Sequence, residues 1–548
     1  MRHGGQLLVD QLAEEGCDTA FCVPGESYLA ALDGLYGRQD IRTVICRQEG
    51  GAAMMAEAHA KMTGKLGAAF VTRGPGASNA SIGVHIARQD STPMILFVGQ
   101  VGLGMEDREA FQEVDFKQMF SPLAKWAAEI RQTDRIPEYV ARAAHTARSG
   151  RPGPVVLALP EDMLSARTDA DTVAASPLAI AQPSDADIAA VSAAVTQAKR
   201  PLMLIGGPGW SGRTRDLVTA FAERLDLPVA ATFRYQDYMD NRHPNYAGHM
   251  GIGIDAGLAK RILGADLLIV MGPRLGEMTT GAYSLVKPPT PEQKLIHIHP
   301  GAEELGSVYR TDVPVLSTLG AFAERLADIE APASIPWKDW TRGARADFEA
   351  YARPVETPGA VKMEQIVSHI SRTVPDDAII TNGAGNYAAF VHRYFTYRGY
   401  KTQLANTAGA MGYGIPSAVA AKLAAPERTV ISFNGDGCFM MNGQELATAM
   451  QYDLPIIMLV VNNGMYGTIR MHQEREYPNR VSGTTLHNPD FAAYARSYGA
   501  NGERIERTED FPDVFAAALK SRKPTLIELK VDPQAITPAR TLDQIRSG

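Results

Sequence analysis

The 548-residue sequence predicts an α/β protein with three doubly wound, parallel-sheet domains. Apolar, β-branched runs of strand length alternate with helical patterns along the chain. Two proline-containing segments divide this alternation into three parts. The length of the chain and its 45% hydrophobic content also allow three separate cores.

The two proline-containing segments, 164–185 and 331–358, are predicted to be linkers. The first is rich in small and polar residues, and the second is rich in proline. The domains that they separate are therefore predicted to cover residues 1–165, 186–330 and 358–535.

The composition argues against several classes of partner. A net charge of -7 is small for this length, and there is no basic run, so we expect no binding to nucleic acid or to an anionic membrane. No apolar run is long enough to cross a bilayer, and the N-terminal stretch lacks the apolar core of a signal peptide. The cysteines form no CxxC pattern and are interpreted as small buried residues of a cytoplasmic protein: Cys17, Cys22, Cys46 and Cys438.

In the first domain, an acid begins a helix that is rich in small residues. A predicted strand at 42–46 leads into the stretch RQEGGAAMMAEA, in which this acid is Glu49. An acid in the first turn of a helix is favourable on electrostatic grounds alone, so Glu49 has a structural as well as a functional interpretation. The glycine-rich loop 73–79 also precedes a helix. It could bind phosphate, although a structural turn is the simpler interpretation.

A strand, loop, helix, strand unit is predicted within residues 428–467, with its helix at 442–451. A crossover of this length makes the two strands parallel, so Asp436 and Asn463 both follow carboxyl ends of strands, where open α/β sheets bind ligands. One carboxylate, one amide oxygen and bare backbone nearby suit Mg²⁺. Taken singly, the sequences GDG and NN are more often ordinary turns.

The combination of GDG with NN, in which Asp436 and Asn463 stand 27 positions apart, resembles the thiamine diphosphate signature of the acetolactate synthase group of decarboxylases and carboligases. The resemblance spans essentially the whole chain in family order: a pyrimidine-binding domain, a central Rossmann-like domain and a diphosphate-binding domain. It implies thiamine diphosphate and Mg²⁺ as cofactors. It also implies that Asp436, the Asn463 side chain and the Met465 carbonyl hold Mg²⁺, which holds the diphosphate.

The stretch around Glu49 resembles the family segment whose Glu protonates the aminopyrimidine ring of the cofactor and so promotes formation of the reactive ylid. This role needs a carboxylic acid held away from water. Glu49 and Asp436 lie in different predicted domains, and the corresponding family residues meet across a subunit interface. The resemblance therefore implies a homodimer or a dimer of dimers.

The resemblance assigns further residues to the cofactor. Met411, a single bulky residue among small ones, resembles the apolar wedge that bends the cofactor and brings its amino group over the reactive carbon. Backbone groups at Gly409 and Met411 would then bind the edge of the pyrimidine. The other residues assigned to cofactor binding are Gly25, Asn386, Tyr387, Gly435, Gly437, Cys438, Tyr466 and Gly467.

A segment similar to one that lines the substrate site of acetolactate synthases contains Phe111 and Gln112, which are predicted to contact the substrate. Lys125 and His85 are further candidates for substrate contact, although His85 could instead satisfy a hydrogen bond in the core.

The chain departs from acetolactate synthases near the reacting groups. Gln48 and Gly50 flank Glu49 where that group has His and Gln. His472 stands close to the position of a Trp that favours a larger acceptor, and Glu26 resembles an acid of pyruvate decarboxylases, although it could simply begin a helix. Together with Glu49, the residues predicted to take part in catalysis are Glu26, Gln112 and His472.

The central domain contains a GxGxxG pattern within residues 207–212, directly after a predicted strand. A dinucleotide fingerprint also requires an acid at the end of the next strand, where this chain has Phe233 and Arg234, so the sequence argues against NAD. Acetolactate synthases carry a non-redox FAD in this domain. The chain retains an Arg at 274 but lacks the acidic pair that usually follows it, so FAD is left open.

The sequence thus predicts a thiamine diphosphate- and Mg²⁺-dependent enzyme that decarboxylates and ligates 2-oxo acids, most like acetolactate synthase. Two alternatives stay open. One is a 2-oxo acid decarboxylase, or another carbon–carbon lyase or carboligase with a different acceptor. The other is a nucleotide- or flavin-binding scaffold that has lost this chemistry, and the presence of Glu49 argues against it. The natural substrates, the pathway and any regulatory subunit do not follow from the sequence.

Overall fold

The computed structural model describes residues 1–548 and contains three six-stranded sheets with flanking helices. Neighbouring strands within each of these sheets are parallel, which confirms the predicted α/β fold class. No helix is both long and apolar enough to cross a membrane. The residue boundaries given above for the three domains stay predictions.

The first sheet and its helices lie within residues 2–168. In chain order, the elements are β1 (Arg2–His3), α1 (Gly4–Glu14), β2 (Thr19–Cys22), α2 (Leu29–Leu35), β3 (Arg42–Ile45), α3 (Glu49–Thr63), β4 (Gly67–Val71), α4 (Gly74–Asp90), β5 (Met94–Gln100), α5 (Phe116–Phe120), β6 (Trp126–Glu129), α6 (Ile136–Arg148), β7 (Pro154–Pro160), α7 (Glu161–Ser165) and β8 (Arg167–Thr168). The strand order is β3-β2-β4-β5-β7-β6, and β1 pairs separately with β8.

The second sheet and its helices lie within residues 185–351. Their elements are α8 (Asp185–Gln197), β9 (Pro201–Ile205), α9 (Gly212–Leu225), β10 (Val229–Ala231), β11 (Tyr246–His249), α10 (Ala256–Gly264), β12 (Leu267–Met271), β13 (Lys294–His299), β14 (Val313–Leu316), α11 (Leu319–Glu324) and α12 (Lys338–Tyr351). The strand order β11-β10-β9-β12-β13-β14 is that of dinucleotide-binding folds.

The third sheet and its helices lie within residues 363–546. Their elements are α13 (Met363–Thr373), β15 (Ile379–Asn382), α14 (Tyr387–Tyr394), β16 (Gln403–Ala405), α15 (Gly414–Ala424), β17 (Val430–Gly435), α16 (Asp436–Asn442), α17 (Leu446–Gln451), β18 (Ile457–Asn462), α18 (Gly467–Glu476), α19 (Phe491–Ser497), β19 (Asn501–Ile505), α20 (Phe511–Lys520), β20 (Thr525–Lys530) and α21 (Leu542–Arg546). The order β16-β15-β17-β18-β20-β19 repeats the relative strand order of the first sheet.

The first and third units share a hydrophobic core of 45 buried residues, in which α3 packs against α15. The small residues of α3 allow this close approach: a Cβ on Gly51 would lie only 2.7 Å from an oxygen of Glu445. The same buried carboxylate accepts the backbone N–H groups of Arg47 and Gln48, each at 3.0 Å. The third unit therefore fixes the backbone just before Glu49.

Two helices begin earlier than the sequence predicts. The stretch 73–79, predicted to be a loop, contains the first turns of α4, and the helix predicted at 442–451 is preceded by α16, which begins at Asp436. Both starts are rich in glycine, which disfavours helix locally. Tertiary packing outweighs this propensity, so the prediction of a loop at 73–79 is wrong.

The second predicted linker is also wrong in part, because 331–358 contains α12. Trp337, which is fully buried, donates from its Nε1 to the Leu225 carbonyl at 2.9 Å, and the Trp340 Nε1 donates to Pro201 at 2.9 Å. These indoles dock the helix on the second unit. The prolines lie on either side of the helix, and they give the whole segment the composition of a linker.

A buried acid joins the second and third units. One oxygen of Asp237 accepts the backbone N–H groups of Thr402 at 2.9 Å and Gln403 at 3.2 Å. Burial raises the pKa of Asp237 to about 6, although these hydrogen bonds lower it. Because the folded carboxyl keeps its proton where the unfolded chain loses it, stability falls as the pH rises from about 4 to about 6.

We expect Asp237→Asn to raise the thermal unfolding midpoint at pH 7.5 and to flatten the loss of stability between about pH 4 and pH 6. The amide oxygen can still accept both N–H groups, whereas the cost of burying a charge, about 1–3 kcal/mol, disappears. Calorimetric unfolding of both proteins at pH 4 and pH 7.5 measures the effect, with pH 4 as the internal control. A midpoint below that of the wild type at pH 7.5 would contradict the prediction.

Candidate functional site

A cavity of about 310 Å³ lies at the carboxyl edge of the third sheet. The loops that follow β15, β16, β17 and β18 contribute to its wall, as expected for a parallel sheet whose strands end at one edge. All the cofactor residues predicted in this unit line it: Asn386, Tyr387, Gly409, Met411, Gly435, Asp436, Gly437, Cys438, Asn463, Met465, Tyr466 and Gly467. The structure brings these residues together, while their roles stay predictions.

Asp436 is a buried carboxylate without an ion-pair partner. One oxygen accepts the Gly437 N–H at 2.9 Å; the other accepts the Gly464 N–H at 2.9 Å and the Asn488 side-chain amide at 2.8 Å. Burial raises the pKa of Asp436 from its ordinary value, and the hydrogen bonds oppose that shift. An acid that is only 2% exposed and has no basic partner favours a bound cation.

The residues around Asp436 fit Mg²⁺. The chain has no cluster of three or more His, Cys, Asp or Glu side chains that would hold a metal. The predicted ligands are of another kind, since they combine one carboxylate with the Asn463 amide and the Met465 carbonyl, all on the same cavity. Mg²⁺ commonly uses one or two carboxylates and takes its remaining ligands from water and phosphate oxygens.

Two glycines keep the cavity open. Gly409 has a left-handed φ of 69°, and a Cβ built on it would meet no atom within 4 Å, so any side chain there would project into free space. A Cβ on Gly437 would lie 2.5 Å from the Tyr466 ring. Glycine is therefore favoured at 409 by the backbone conformation and required at 437 by the close approach of the Tyr466 ring.

Glu49 lies outside this cavity, at the start of α3, and is half-buried. One of its carboxylate oxygens accepts a hydrogen bond from the Asn79 side-chain amide at 2.9 Å. A single chain therefore does not bring Glu49 to Asp436. The N-terminal and C-terminal parts of the predicted site remain separate within one copy.

Other predicted residues surround the start of α4, close to Glu49. The Gln112 carbonyl accepts the Gly74 N–H at 3.0 Å, and a Cβ on Gly25 would lie 2.6 Å from that of Thr72. Glu26 is 72% exposed, with an oxygen 3.9 Å from an Arg73 nitrogen. Phe111, beside Gln112, is 73% exposed.

Three candidates belong to neither group, although one of them, His85, lines a cavity that shares Gly409 with the first cavity. His85 is exposed on α4, which excludes the core hydrogen bond considered for it, and lines a second cavity of about 350 Å³. The Lys125 ammonium donates to the carbonyls of Ser149 at 2.7 Å and Arg151 at 2.8 Å, and burial lowers its pKa to about 8. His472 is exposed on α18, where its Nδ1 accepts from Arg475 at 2.9 Å.

The glycine loop at 207–212 is explained by packing. A Cβ on Gly207 would lie 2.1 Å from the Gly272 carbonyl oxygen. The indole of Trp210 donates to the Gly206 carbonyl at 2.8 Å, and the Tyr238 hydroxyl donates to the Gly207 carbonyl at 3.0 Å. These aromatic rings, with centroids 5.0 Å apart, pack against one side of the loop. On its other side, Gly207 and Arg274 line the second cavity of about 350 Å³, and binding of FAD to this unit stays a prediction.

Sequence reasoning missed three residues near the first cavity. Asn488 positions Asp436, as described above. Arg234 follows β10 and lines the cavity from the second unit, where the sequence had shown only the lack of an acid. His392 on α14 also lines it; its Nε2 has no hydrogen-bond partner, and burial lowers its pKa well below the ordinary value. No local motif marks Asn488 or His392.

Family comparisons cover most of the chain. The descriptions "Thiamine pyrophosphate enzyme, N-terminal TPP binding domain", "central domain" and "C-terminal TPP binding domain" match residues 2–119, 188–326 and 383–529. Acetolactate synthase large subunits from Parasynechococcus marenigrum and Lactococcus lactis are each 31% identical to the chain, over 96% of its length and over 87% and 92% of their own. The large subunit from Corynebacterium glutamicum is 30% identical over 97% of the chain and 87% of its own length.

Proposed function

This chain belongs to the thiamine pyrophosphate enzyme family and is a thiamine diphosphate-dependent enzyme resembling acetolactate synthases; on this premise we propose that it joins two 2-oxo acids with loss of CO₂. Pyruvate is the proposed donor, and a second 2-oxo acid is the acceptor. When bound, thiamine diphosphate supplies the electron sink that makes this decarboxylation and carbon–carbon bond formation feasible.

The observation that carries the proposal is the cavity around Asp436. Residues from four separate loops of the third unit line one space, next to a buried carboxylate that lacks a counterion. We infer that Asp436, the Asn463 side chain and the Met465 carbonyl hold Mg²⁺, which secures the diphosphate. Gly409 would leave room for the pyrimidine, and Met411 would pack against the cofactor as an apolar wedge.

We further propose that the active unit is a homodimer, in which Glu49 of a second copy completes the cavity. The separation of Glu49 from the cavity of its own chain supports this arrangement. Exposed apolar side chains near the two half-sites also support it, since such a patch marks an interaction surface. These side chains are Ile82 on α4 and Met440 and Met441 on α16.

Glu49 would share its proton with the pyrimidine ring, and the Asn79 side chain orients its carboxyl group. We infer that the segment with Phe111 presents the Phe111 ring to a substrate. Asp107, Glu109 and Gln112 have left-handed backbones, which store strain and are found at functional sites. The Glu113 carboxylate braces the segment, because it accepts the backbone N–H groups of Asp107 and Ala110, both at 2.8 Å.

FAD has no part in the proposal, because decarboxylation followed by carboligation involves no net oxidation or reduction. Lys125 and His472 also have no assigned role, since Lys125 is held by two backbone carbonyls and His472 lies outside the cavity. Glu26 remains a candidate proton donor because it lies near the start of α4, in the neighbourhood of Glu49.

Product analysis tests the function. The purified protein is incubated with thiamine diphosphate, Mg²⁺ and pyruvate, with and without a second 2-oxo acid, and both pyruvate loss and product identity are followed. Acetolactate or its homologue is the expected product, and chelation of Mg²⁺ should stop its formation. Acetaldehyde alone would contradict carboligation and would favour a decarboxylase with Glu26 as the proton donor. Failure to consume any 2-oxo acid would contradict the proposed substrate class.

A further inference from the structure

Arg234 is a buried cation without a carboxylate partner. It follows β10 in the second unit, is 5% exposed, and has a left-handed φ of 67°. A guanidinium stays protonated in proteins, so its positive charge is permanent. Its Nε has no hydrogen-bond partner, and its side chain packs over the Phe233 ring, 4.8 Å from the centroid. A charge buried in this way is costly unless a ligand or another group compensates for it.

The guanidinium connects two loops of the third unit. One of its terminal nitrogens donates to the Asn406 carbonyl, and the other donates to the Gly383 carbonyl at 2.9 Å. Gly383 directly follows β15 and begins the loop that leads to Asn386 and Tyr387. Asn406 directly follows β16 and begins the loop that leads to Met411. The two loops meet the predicted cofactor site at different points, and Arg234 bridges their starts.

The contact at Asn406 extends to Met411. The Asn406 side chain accepts the Ala410 N–H at 2.8 Å and donates to the Ala410 carbonyl at 3.1 Å. This closed pair of hydrogen bonds holds the loop as a ring, with Met411 as the next residue. The position of Met411 therefore depends on Asn406, whose backbone depends on Arg234.

The charge of Arg234 also acts on the cavity. The Asp90 carboxylate acts on the guanidinium from beyond ion-pair distance, and Arg234 lines the cavity beside Tyr387 and Cys438. Both belong to the set predicted to hold the cofactor. A permanent positive charge at low dielectric favours an anion in the adjacent space.

We propose that Arg234 is a positioning residue for thiamine diphosphate: it fixes the loop that leads to Tyr387 relative to the loop that leads to Met411, and its unpaired charge favours the anionic diphosphate. This inference rests on the proposed placement of the cofactor in the cavity. The affinity for the cofactor would then depend on the second unit, although the other predicted cofactor contacts come from the first and third units.

Binding of thiamine diphosphate at saturating Mg²⁺, measured by calorimetry without substrate, tests the proposal. We expect Arg234→Met to weaken binding roughly ten- to a hundredfold, because charge-assisted hydrogen bonds and a compensating charge are lost together. Arg234→Lys, which keeps the charge but lacks the planar guanidinium fork and its full reach, should give a smaller loss. Inorganic diphosphate with Mg²⁺ is the second probe, and Arg234→Met should weaken its binding as well.

Arg215→Met is the matched control. Arg215 also extends from the second unit to a backbone carbonyl of the third, that of Arg398 at 2.9 Å, but it does not line the cavity. We expect it to bind the cofactor within about twofold of the wild type, whereas Arg234→Met does not. Wild-type affinity in Arg234→Met, or equal losses in the two variants, would overturn the proposal.

Two further measurements distinguish a failure of the proposal from a failure of folding and from a failure of the proposed cofactor site. If thermal unfolding shows that Arg234→Met does not fold, unchanged cofactor affinity in a folded Arg234→Lys protein would overturn the proposed role of Arg234. If the wild type itself binds no thiamine diphosphate, the proposed cofactor site fails. If the wild type binds it and Arg234→Met binds it equally well, only the role of Arg234 fails.

Discussion

Replacing Glu49 by Gln is expected to lower kcat by roughly 10²–10⁴-fold, while thiamine diphosphate still binds. The variant keeps the size of the side chain, and the amide oxygen of Gln can still accept the hydrogen bond from Asn79. It removes only the carboxyl proton that is proposed to be shared with the pyrimidine ring. A large loss of turnover with retained binding would separate this role from a structural one.

Steady-state turnover of pyruvate and calorimetric binding of the cofactor measure the two effects on the same protein. Glu14→Gln is the control, because Glu14 is an exposed acid of the same unit, at the end of α1. It should behave as the wild type in both measurements. Unchanged turnover in Glu49→Gln with the cofactor bound would show that the catalytic role of Glu49 is wrong.

The Glu49 variant also tests the proposed dimer. Because one chain does not bring Glu49 into the cavity of its own third unit, an inactive Glu49→Gln protein and an inactive Asp436 variant should complement each other when they are mixed and allowed to exchange subunits. Each mixed dimer would contain one site with both wild-type residues. Activity recovered in the mixture would support the shared site, and no recovery despite demonstrated exchange would contradict it.

Asp436→Asn is expected to weaken Mg²⁺-dependent binding of thiamine diphosphate by about 100-fold or more, since it removes the only carboxylate of the proposed metal set. The amide is also a poor replacement for local reasons. Three N–H donors, from Gly437, Gly464 and Asn488, converge on the two oxygens of Asp436. The NH₂ group of an Asn would face at least one of them, so the site loses a hydrogen bond as well as its charge.

The measurement is a calorimetric titration with thiamine diphosphate at several Mg²⁺ concentrations. Asp453→Asn is the control in the same unit: Asp453 is exposed and has a left-handed φ of 52°, a conformation that Asn tolerates. Its cofactor affinity should equal that of the wild type. If Asp436→Asn bound the cofactor with wild-type affinity and the same Mg²⁺ dependence, the proposed metal set would be wrong.

Much of the fold follows from local patterns. Buried parallel strands are continuous apolar runs, so β5, β12 and β18 are recognisable without structural information. The strands that the patterns did not reveal include three outermost ones, β6, β11 and β14, whereas the outermost strand β3 was predicted. Each of these three strands has only four residues, a run too short to show a clear period. The glycine-rich helix starts at Gly74 and Asp436 were also hidden, because packing outweighs local propensity there.

Local patterns are sufficient to identify the parallel unit that carries Asp436 and Asn463, because strand direction and the length of the crossover place both at one edge of a sheet. Family resemblance then indicated which of the surrounding loops would join them, and these loops do line one cavity. The residues of other units that reach the cavity become apparent only in the folded chain. Arg234 lies about 200 positions before Asp436 in the sequence and reaches the cavity wall only because the second unit packs on the third. Contacts between units depend on surfaces assembled from distant segments, and no periodicity or spacing within one segment encodes them.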